Sequence, residues 1–116
     1  MERRKYDRVR VRYSASFSGR SYHAPGMVVG LSLVGCRALI GFLINPDEWL
    51  GLHILVASNG AAPLHVAKAE VRWLEGQEVG MEFIHMEWLE RARLSDMIRT
   101  IEGAPEWRPG GDSDKG

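Results

Sequence analysis

Hydrophobic and polar residues alternate with a period of two along most of the chain up to residue 86. The stretch RVRVRYSASF, residues 8–17, places its aliphatic and aromatic side chains at every second position, with arginines and serines between them. Because successive side chains of a strand point to opposite faces, this pattern predicts a half-buried β-strand. A break is expected from Gly19 through Pro25-Gly26, since glycine and proline interrupt regular structure.

Further strands are predicted downstream, each followed by a turn. The stretch MVVGLSLVGCRALI, residues 27–40, holds too many glycines for a helix and favours two strands joined across a bend. Asn45-Pro46-Asp47 predicts a turn, Asn59-Gly60 predicts a hairpin loop, and Gly76-Gln77-Glu78 predicts another turn. Six short strands at this spacing predict an all-β fold, a sandwich or a barrel.

The period changes at residue 87. In EWLERARLSDMIRTI, residues 87–101, apolar side chains recur at Leu94, Met97, Ile98 and Ile101, which predicts an amphipathic helix. We expect its apolar stripe to cover one open end or edge of the sheet. Residues 103–116 are rich in glycine, proline and charge without periodicity, so we expect a mobile tail and no second domain.

Composition and charge narrow the classes of function. The 116 residues suffice for one domain with a real core, and fifteen basic residues balance fifteen acidic ones. Residues 1–12 nevertheless hold six cations against two anions, a local net charge of 6 − 2 = +4. One cysteine, Cys36, forbids an internal disulfide, and alternation places it inward. We expect a cytoplasmic protein without membrane insertion, since neither a signal peptide nor a spanning segment is evident.

Two short motifs carry the candidate chemistry. Arg4 and Arg8, in RKYDR, could grip a phosphate with their guanidinium forks, although a solvated basic segment would show the same pattern. In GLSLVG, Gly30 and Gly35 bracket Ser32, which predicts either a close backbone approach to a phosphate or a simple bend between strands. Either motif alone is weak.

Together, the two motifs resemble the PilZ domain, the bacterial receptor module for cyclic di-GMP. RKYDR supplies the family's RxxxR, GLSLVG supplies the serine and final glycine of its (Asp/Asn)-x-Ser-x-x-Gly motif, and Gly80-Met81-Glu82-Phe83 is similar to its Gly-x-x-Phe. The resemblance covers about residues 2–101. It implies a basic arm at residues 1–8 and, over residues 8–102, a six-stranded antiparallel barrel capped by one α-helix.

The resemblance also implies the site. Arg4 and Arg8 would hold the phosphates and guanine edges of cyclic di-GMP, with Ser32 and Gly35 completing the cradle. Arg3 would accompany a stacked pair of ligand molecules. The chain departs from the family at Gly30, where Asp or Asn would bind guanine; losing such a contact costs about 1–3 kcal/mol. Binding would then be weaker, altered in specificity or lost.

Three functions therefore remain open, none of them enzymatic. The first is a receptor for cyclic di-GMP or a related cyclic dinucleotide, without cofactor or metal, acting as a monomer or dimer through a downstream protein partner. The second is an interaction module of the same fold that has lost nucleotide binding. The third is a nonspecific binder of anionic polymers such as DNA through residues 3–12. This hypothesis is the weakest of the three, because the local net positive charge is small.

The remaining side chains favour structural roles. Four histidines lack metal-binding spacing, although His53 and His65 could face each other across the Asn59-Gly60 hairpin. The tryptophans Trp49, Trp73 and Trp88 are spread over a turn, a strand and a helix. We interpret them as core and seam packing.

Overall fold

The computed structural model describes residues 8–45, 48–56 and 62–103 of the chain. It contains six strands followed by one helix. Their bounds are β1 Val9–Ser18, β2 His23–Leu31, β3 Gly35–Ile40, β4 Trp49–Ile54, β5 Leu64–Glu75, β6 Glu78–His85 and α1 Trp88–Gly103. The described residues do not include residues 1–7 of the predicted arm, Pro46-Asp47 of the predicted turn, the Asn59-Gly60 loop or residues 104–116 of the predicted tail. Gly103, predicted to begin that tail, is instead the last residue of α1.

The six strands form a closed antiparallel barrel in the order β1-β2-β3-β6-β5-β4. Closure is made by β1 and β4, where Ala15 pairs with Ile54 and Ser18 pairs with Gly51. Alternate side chains of every strand fill the interior, among them Phe17, Leu52 and Val66, all fully buried. The predicted all-β fold with a terminal helix is confirmed, and of the two architectures left open the structure is the barrel.

The break predicted at Pro25-Gly26 is wrong, because β2 runs through both residues. Pro25 pairs with Ser16 of β1, whereas pairing with β3 begins only at Gly26. The amide hydrogen that proline lacks is therefore not needed for the β2–β3 ladder, which is why proline is tolerated at this end of the strand.

The three tryptophans interpreted as core and seam packing do not belong to the core, so that part of the interpretation is wrong. Trp49, Trp73 and Trp88 have exposed fractions of 51%, 38% and 76%. Trp49 lies on the outer face of the barrel, as the alternation of β4 directs, and Trp88 lies at the start of α1. Trp73 also lies on the outer face, because the register shift between Val71 and Trp73 reverses the face that alternation from the buried Val71 would give it. By contrast, Cys36 is buried as predicted, and the stacked rings of His53 and His65 face each other with centroids 4.4 Å apart.

The helix packs on the barrel through the predicted apolar stripe. Leu94 is fully buried and Ile98 is 6% exposed, with Met97 and Ile101 packed partly against the core. A carboxylate oxygen of Glu90 accepts a hydrogen bond from the His65 amide at 2.9 Å, which joins α1 to the start of β5. No helix of the described part of the chain is long and apolar enough to span a membrane.

Truncating the helix anchor should destabilise the whole domain. We expect Leu94→Ala to lower the free energy of unfolding by about 2–5 kcal/mol, because it removes a buried side chain and leaves a cavity. Leu89→Ala is the matched control, since Leu89 lies on the same helix and is 58% exposed. Denaturant unfolding measures both, and equal losses would contradict the assigned packing of α1.

Candidate functional site

The bend between β2 and β3 is closed by hydrogen bonds of Ser32. Its amide donates to the Gly35 carbonyl at 2.9 Å. Its hydroxyl oxygen accepts hydrogen bonds from the amides of Val34 and Gly35, both at 3.2 Å. Among the described residues Ser32 is the only buried polar side chain, 4% exposed. In this conformation the serine of GLSLVG therefore shapes the bend from within.

Gly35 is required by the close approach of two backbones. A Cβ atom built on Gly35 would lie 2.2 Å from the carbonyl oxygen of Met81 on β6, a distance that no side chain tolerates. The amide of Phe83 donates to the Val34 carbonyl at 2.8 Å, so β6 runs directly against the bend. The second glycine of the motif thus fixes the bend onto the barrel wall.

The side chain of Arg8 lies across Gly30 on β2. A Cβ atom at residue 30 would be 2.7 Å from Cδ of Arg8 and 3.3 Å from its Cγ. Val9, the next residue, pairs with Leu31, which places Arg8 at the bend end of β2. One arginine of RxxxR and the first position of GLSLVG are therefore in direct contact.

Five outward-facing positions lie side by side on neighbouring strands, and we call them the cross-strand row. Its members are Arg10, Gly30, Arg37, Gly80 and Trp73. Strand pairing joins Arg10 to Gly30, Gly30 to Arg37, Arg37 to Gly80 and Gly80 to Trp73. The indole of Trp73 lies over Gly80, since a Cβ atom there would be 2.2 Å from the ring. The row thus presents arginines at one end and an aromatic face at the other.

One carboxylate reaches the row. Oε2 of Glu78 lies 2.9 Å from Nε of Arg37, and both side chains are about one-third exposed, at 33% and 38%. An ion pair this exposed contributes little to stability. It holds the Arg37 guanidinium near the middle of the row, where an anionic ligand would compete with Glu78 for it.

Cys36 lies on the inner face behind the row. Burial raises the pKa of the Cys36 thiol from its ordinary 9.0 to about 12, although the positive charge of Arg8 acts in the opposite direction. The thiol is therefore neutral at physiological pH and is poorly suited to nucleophilic or metal chemistry. The described residues contain no group of three or more His, Cys, Asp or Glu side chains arranged to hold a metal ion.

The structure brings together Arg8, Gly30, Ser32 and Gly35 at the bend end of β2, whereas Arg3 and Arg4 lie outside the described residues. Sequence reasoning gave Arg37 no role and misassigned Trp73. A signal for Trp73 was present in the spacing of the β5–β6 hairpin, because the turn at Gly76-Gln77 brings Trp73 opposite Gly80. The alternation of β5 indicated burial instead, because the register shift between Val71 and Trp73 reverses the face on which Trp73 lies.

The model of the PilZ domain family matches residues 2–100, most of the chain. The chain therefore belongs to the PilZ domain family. A search of curated proteins finds no match.

Solved structures share the fold at low identity. The Bacillus subtilis inhibitor of motility, MotI/DgrA, matches with a TM-score of 0.70 and 16% identity, covering 90% of this chain and 53% of that one. The PilZ domain of YcgR from Escherichia coli, solved with c-di-GMP, matches with a TM-score of 0.65 and 16% identity, covering 90% and 96%. The MrkH–c-di-GMP complex of K. pneumonia gives 0.66 and 12%, covering 88% and 53%. The chain thus spans about half the length of MotI/DgrA and of MrkH.

Removing the hydroxyl of Ser32 should loosen the bend. We expect Ser32→Ala to cost about 1–3 kcal/mol of unfolding free energy, because two amides lose their acceptor. Ser14→Ala is the control, since Ser14 is exposed on β1. Chemical denaturation compares the two, and a neutral Ser32→Ala would refute the structural role of the hydroxyl.

Burial of Cys36 should make the free energy of unfolding fall as the pH becomes alkaline. The folded thiol, with a pKa of about 12, retains its proton above pH 9, where the unfolded thiol loses it. Its contribution is therefore present below pH 9 and is lost as the pH rises from 9 towards 12. Tyr22, whose pKa burial and Glu48 raise to about 12, acts in the same direction.

We expect Cys36→Ala to show a shallower loss of unfolding free energy than the unmodified protein across this window. Denaturant titrations between pH 8 and about 11 measure the difference in slope, which is insensitive to a constant cost of the substitution. Parallel curves would contradict the raised pKa.

Proposed function

We propose that this chain is a receptor that binds cyclic di-GMP, or a related cyclic dinucleotide, on the outer face of the barrel. The ligand would lie between the N-terminal arm and the bend at residues 32–35. The observation that carries the proposal is the contact of Arg8 with Gly30, because it joins the two motifs of the family at one place. That YcgR and MrkH have been solved with c-di-GMP supports the choice of ligand.

The chemistry of the cross-strand row suits a cyclic dinucleotide. The two phosphates of the dinucleotide carry two negative charges, and guanidinium groups bind phosphates through paired hydrogen bonds. Arg8, Arg10 and Arg37 supply cations next to the bend, and the arm would add Arg3 and Arg4. The indole of Trp73 offers a flat face on which a purine base can stack, an interaction worth about 1–3 kcal/mol per base.

Binding rather than catalysis is the activity that we assign. The ligand would draw the arm onto the barrel, and the new surface would be recognised by a protein partner. This mode of signalling requires no cofactor and no reacting side chain of this chain.

The second candidate, an interaction module that no longer binds nucleotide, is favoured by an exposed apolar area beside the bend. A groove of about 430 Å³ lies between the bend and α1, lined by Leu33, Val34 and Trp88 among others. Val34 is 41% exposed and Trp88 is 76% exposed. The Arg91 guanidinium donates to the Leu33 carbonyl at 3.4 Å, which couples the bend to the helix.

Isothermal titration calorimetry with cyclic di-GMP and with cyclic GMP-AMP tests the receptor directly. We expect binding of at least one, with Arg4→Ala and Arg8→Ala abolishing it while the melting temperature of the unliganded protein stays nearly unchanged. Arg99→Ala is the control, because Arg99 lies on the exposed face of α1 and pairs with Asp96. An absence of heat and of any melting shift with both ligands would leave the interaction module as the better account.

The stacking role of Trp73 has its own test. We expect Trp73→Ala to weaken dinucleotide binding by roughly ten- to a hundredfold, the equivalent of one lost stacked base. Trp49→Ala is the matched control, since Trp49 is also exposed but lies outside the row, beside Lys68. Equal affinities of the two variants would remove Trp73 from the site.

The nonspecific alternative is separated by competition. Duplex DNA in excess should fail to displace the dinucleotide, and binding should fall only modestly with salt. A steep salt dependence together with displacement by DNA would indicate a binder of anionic polymers instead.

A further inference from the structure

Gly30 is the position at which this chain departs from the family motif, and the space above it is occupied. Carbon atoms in contact ordinarily lie about 3.5–4.0 Å apart. A Cβ atom on residue 30 would be 2.7 Å from Cδ of Arg8, so any side chain there would displace Arg8 from its observed position. The missing Asp or Asn is thus replaced by the stem of an arginine.

The space has defined boundaries. The backbone of β2 forms its floor. On the neighbouring strand β3, Cβ of Arg37 lies 3.4 Å from the position that a Cβ atom of residue 30 would take. We call this space the Gly30 notch. The backbone next to Arg8 is anchored by the pairing of Val9 with Leu31, so the side chain enters the notch from a fixed point.

We propose that the Gly30 notch holds the Arg8 side chain against the barrel before the ligand binds. Gly30 is then a positioning residue that holds the Arg8 side chain ready for the ligand, rather than a position that has merely lost the ability to bind a base. This inference rests on the proposed function, since it assigns Gly30 a role in the same site. Long side chains lose conformational freedom on binding, and holding one in place beforehand improves affinity by about two- to tenfold.

The replacement also changes what the position can recognise. Asp or Asn presents an oxygen that accepts hydrogen bonds, whereas a guanidinium only donates. The notch therefore favours ligand groups rich in acceptors, namely phosphate oxygens and the O6 and N7 atoms of guanine. The Arg8 side chain offers no acceptor to the N1 and N2 donors of guanine.

Gly30→Ala isolates the notch, because it fills the space without adding a polar group. We expect calorimetry to show cyclic di-GMP binding about two- to tenfold more weakly than to the unmodified protein. Gly51→Ala is the matched control: it is also a strand glycine, and its added Cβ would meet no atom closer than 3.6 Å. Unchanged affinity in Gly30→Ala, or tighter binding in Gly30→Asp, would overturn the proposal and leave residue 30 as a position that has only lost a base-binding side chain.

A double-mutant cycle tests the notch without any ligand. Alanine ordinarily stabilises a strand relative to glycine. We therefore expect Gly30→Ala to raise the melting temperature in an Arg8→Ala background and to raise it less, or lower it, when Arg8 is present. Additive effects would refute the notch even if the ligand binds. If no dinucleotide binds, the proposed function fails, and the cycle still decides whether Arg8 occupies the notch.

Discussion

Closure of the barrel is the constraint on which the rest of this structure depends. The pairing of β1 with β4 removes the sheet edges, and buried side chains such as Phe17, Leu52 and Val66 occupy the interior. The site that we propose for a ligand therefore lies on the outer face. Because outward positions of neighbouring strands are held in register, residues distant in the sequence, such as Arg37 and Trp73, become parts of one surface.

Glycine gives that outer surface its shape. At Gly35 the backbone of β6 approaches too closely for any side chain, which fixes the bend. At Gly30 and Gly80 the vacant space is instead covered by side chains from elsewhere, the stem of Arg8 and the indole of Trp73. The lack of a Cβ atom thus lets two backbones meet at Gly35. At Gly30 and Gly80 the same lack leaves a flat surface on which longer side chains lie.

The fold was largely predictable from the sequence because it depends on local periodicity. Alternation identified the strands, and the stripe at Leu94 and Ile98 identified the helix. The motifs predicted the region in which we propose the site, yet the sequence alone did not assign the row. Its composition depends on register shifts, such as those between Arg10 and Tyr13 in β1 and between Val71 and Trp73 in β5, which no simple period reveals. The exposure of Trp73 follows from that register, whereas its hydrophobicity suggested burial.

The contact of Arg8 with Gly30 changes how the departure from the family motif is understood. If Gly30 were only a deletion, the space above it would be open to solvent. Instead it contains the stem of Arg8, to which we assign a role in ligand binding, and Arg37 forms the far boundary. In our proposal Gly30 and Arg8 act as a pair, so the effect of placing Asp or Asn at residue 30 depends on where Arg8 moves. The gain from a new hydrogen bond between residue 30 and a base would be offset by displacement of the Arg8 side chain from the barrel. The motif therefore has to be interpreted as a set of interacting positions.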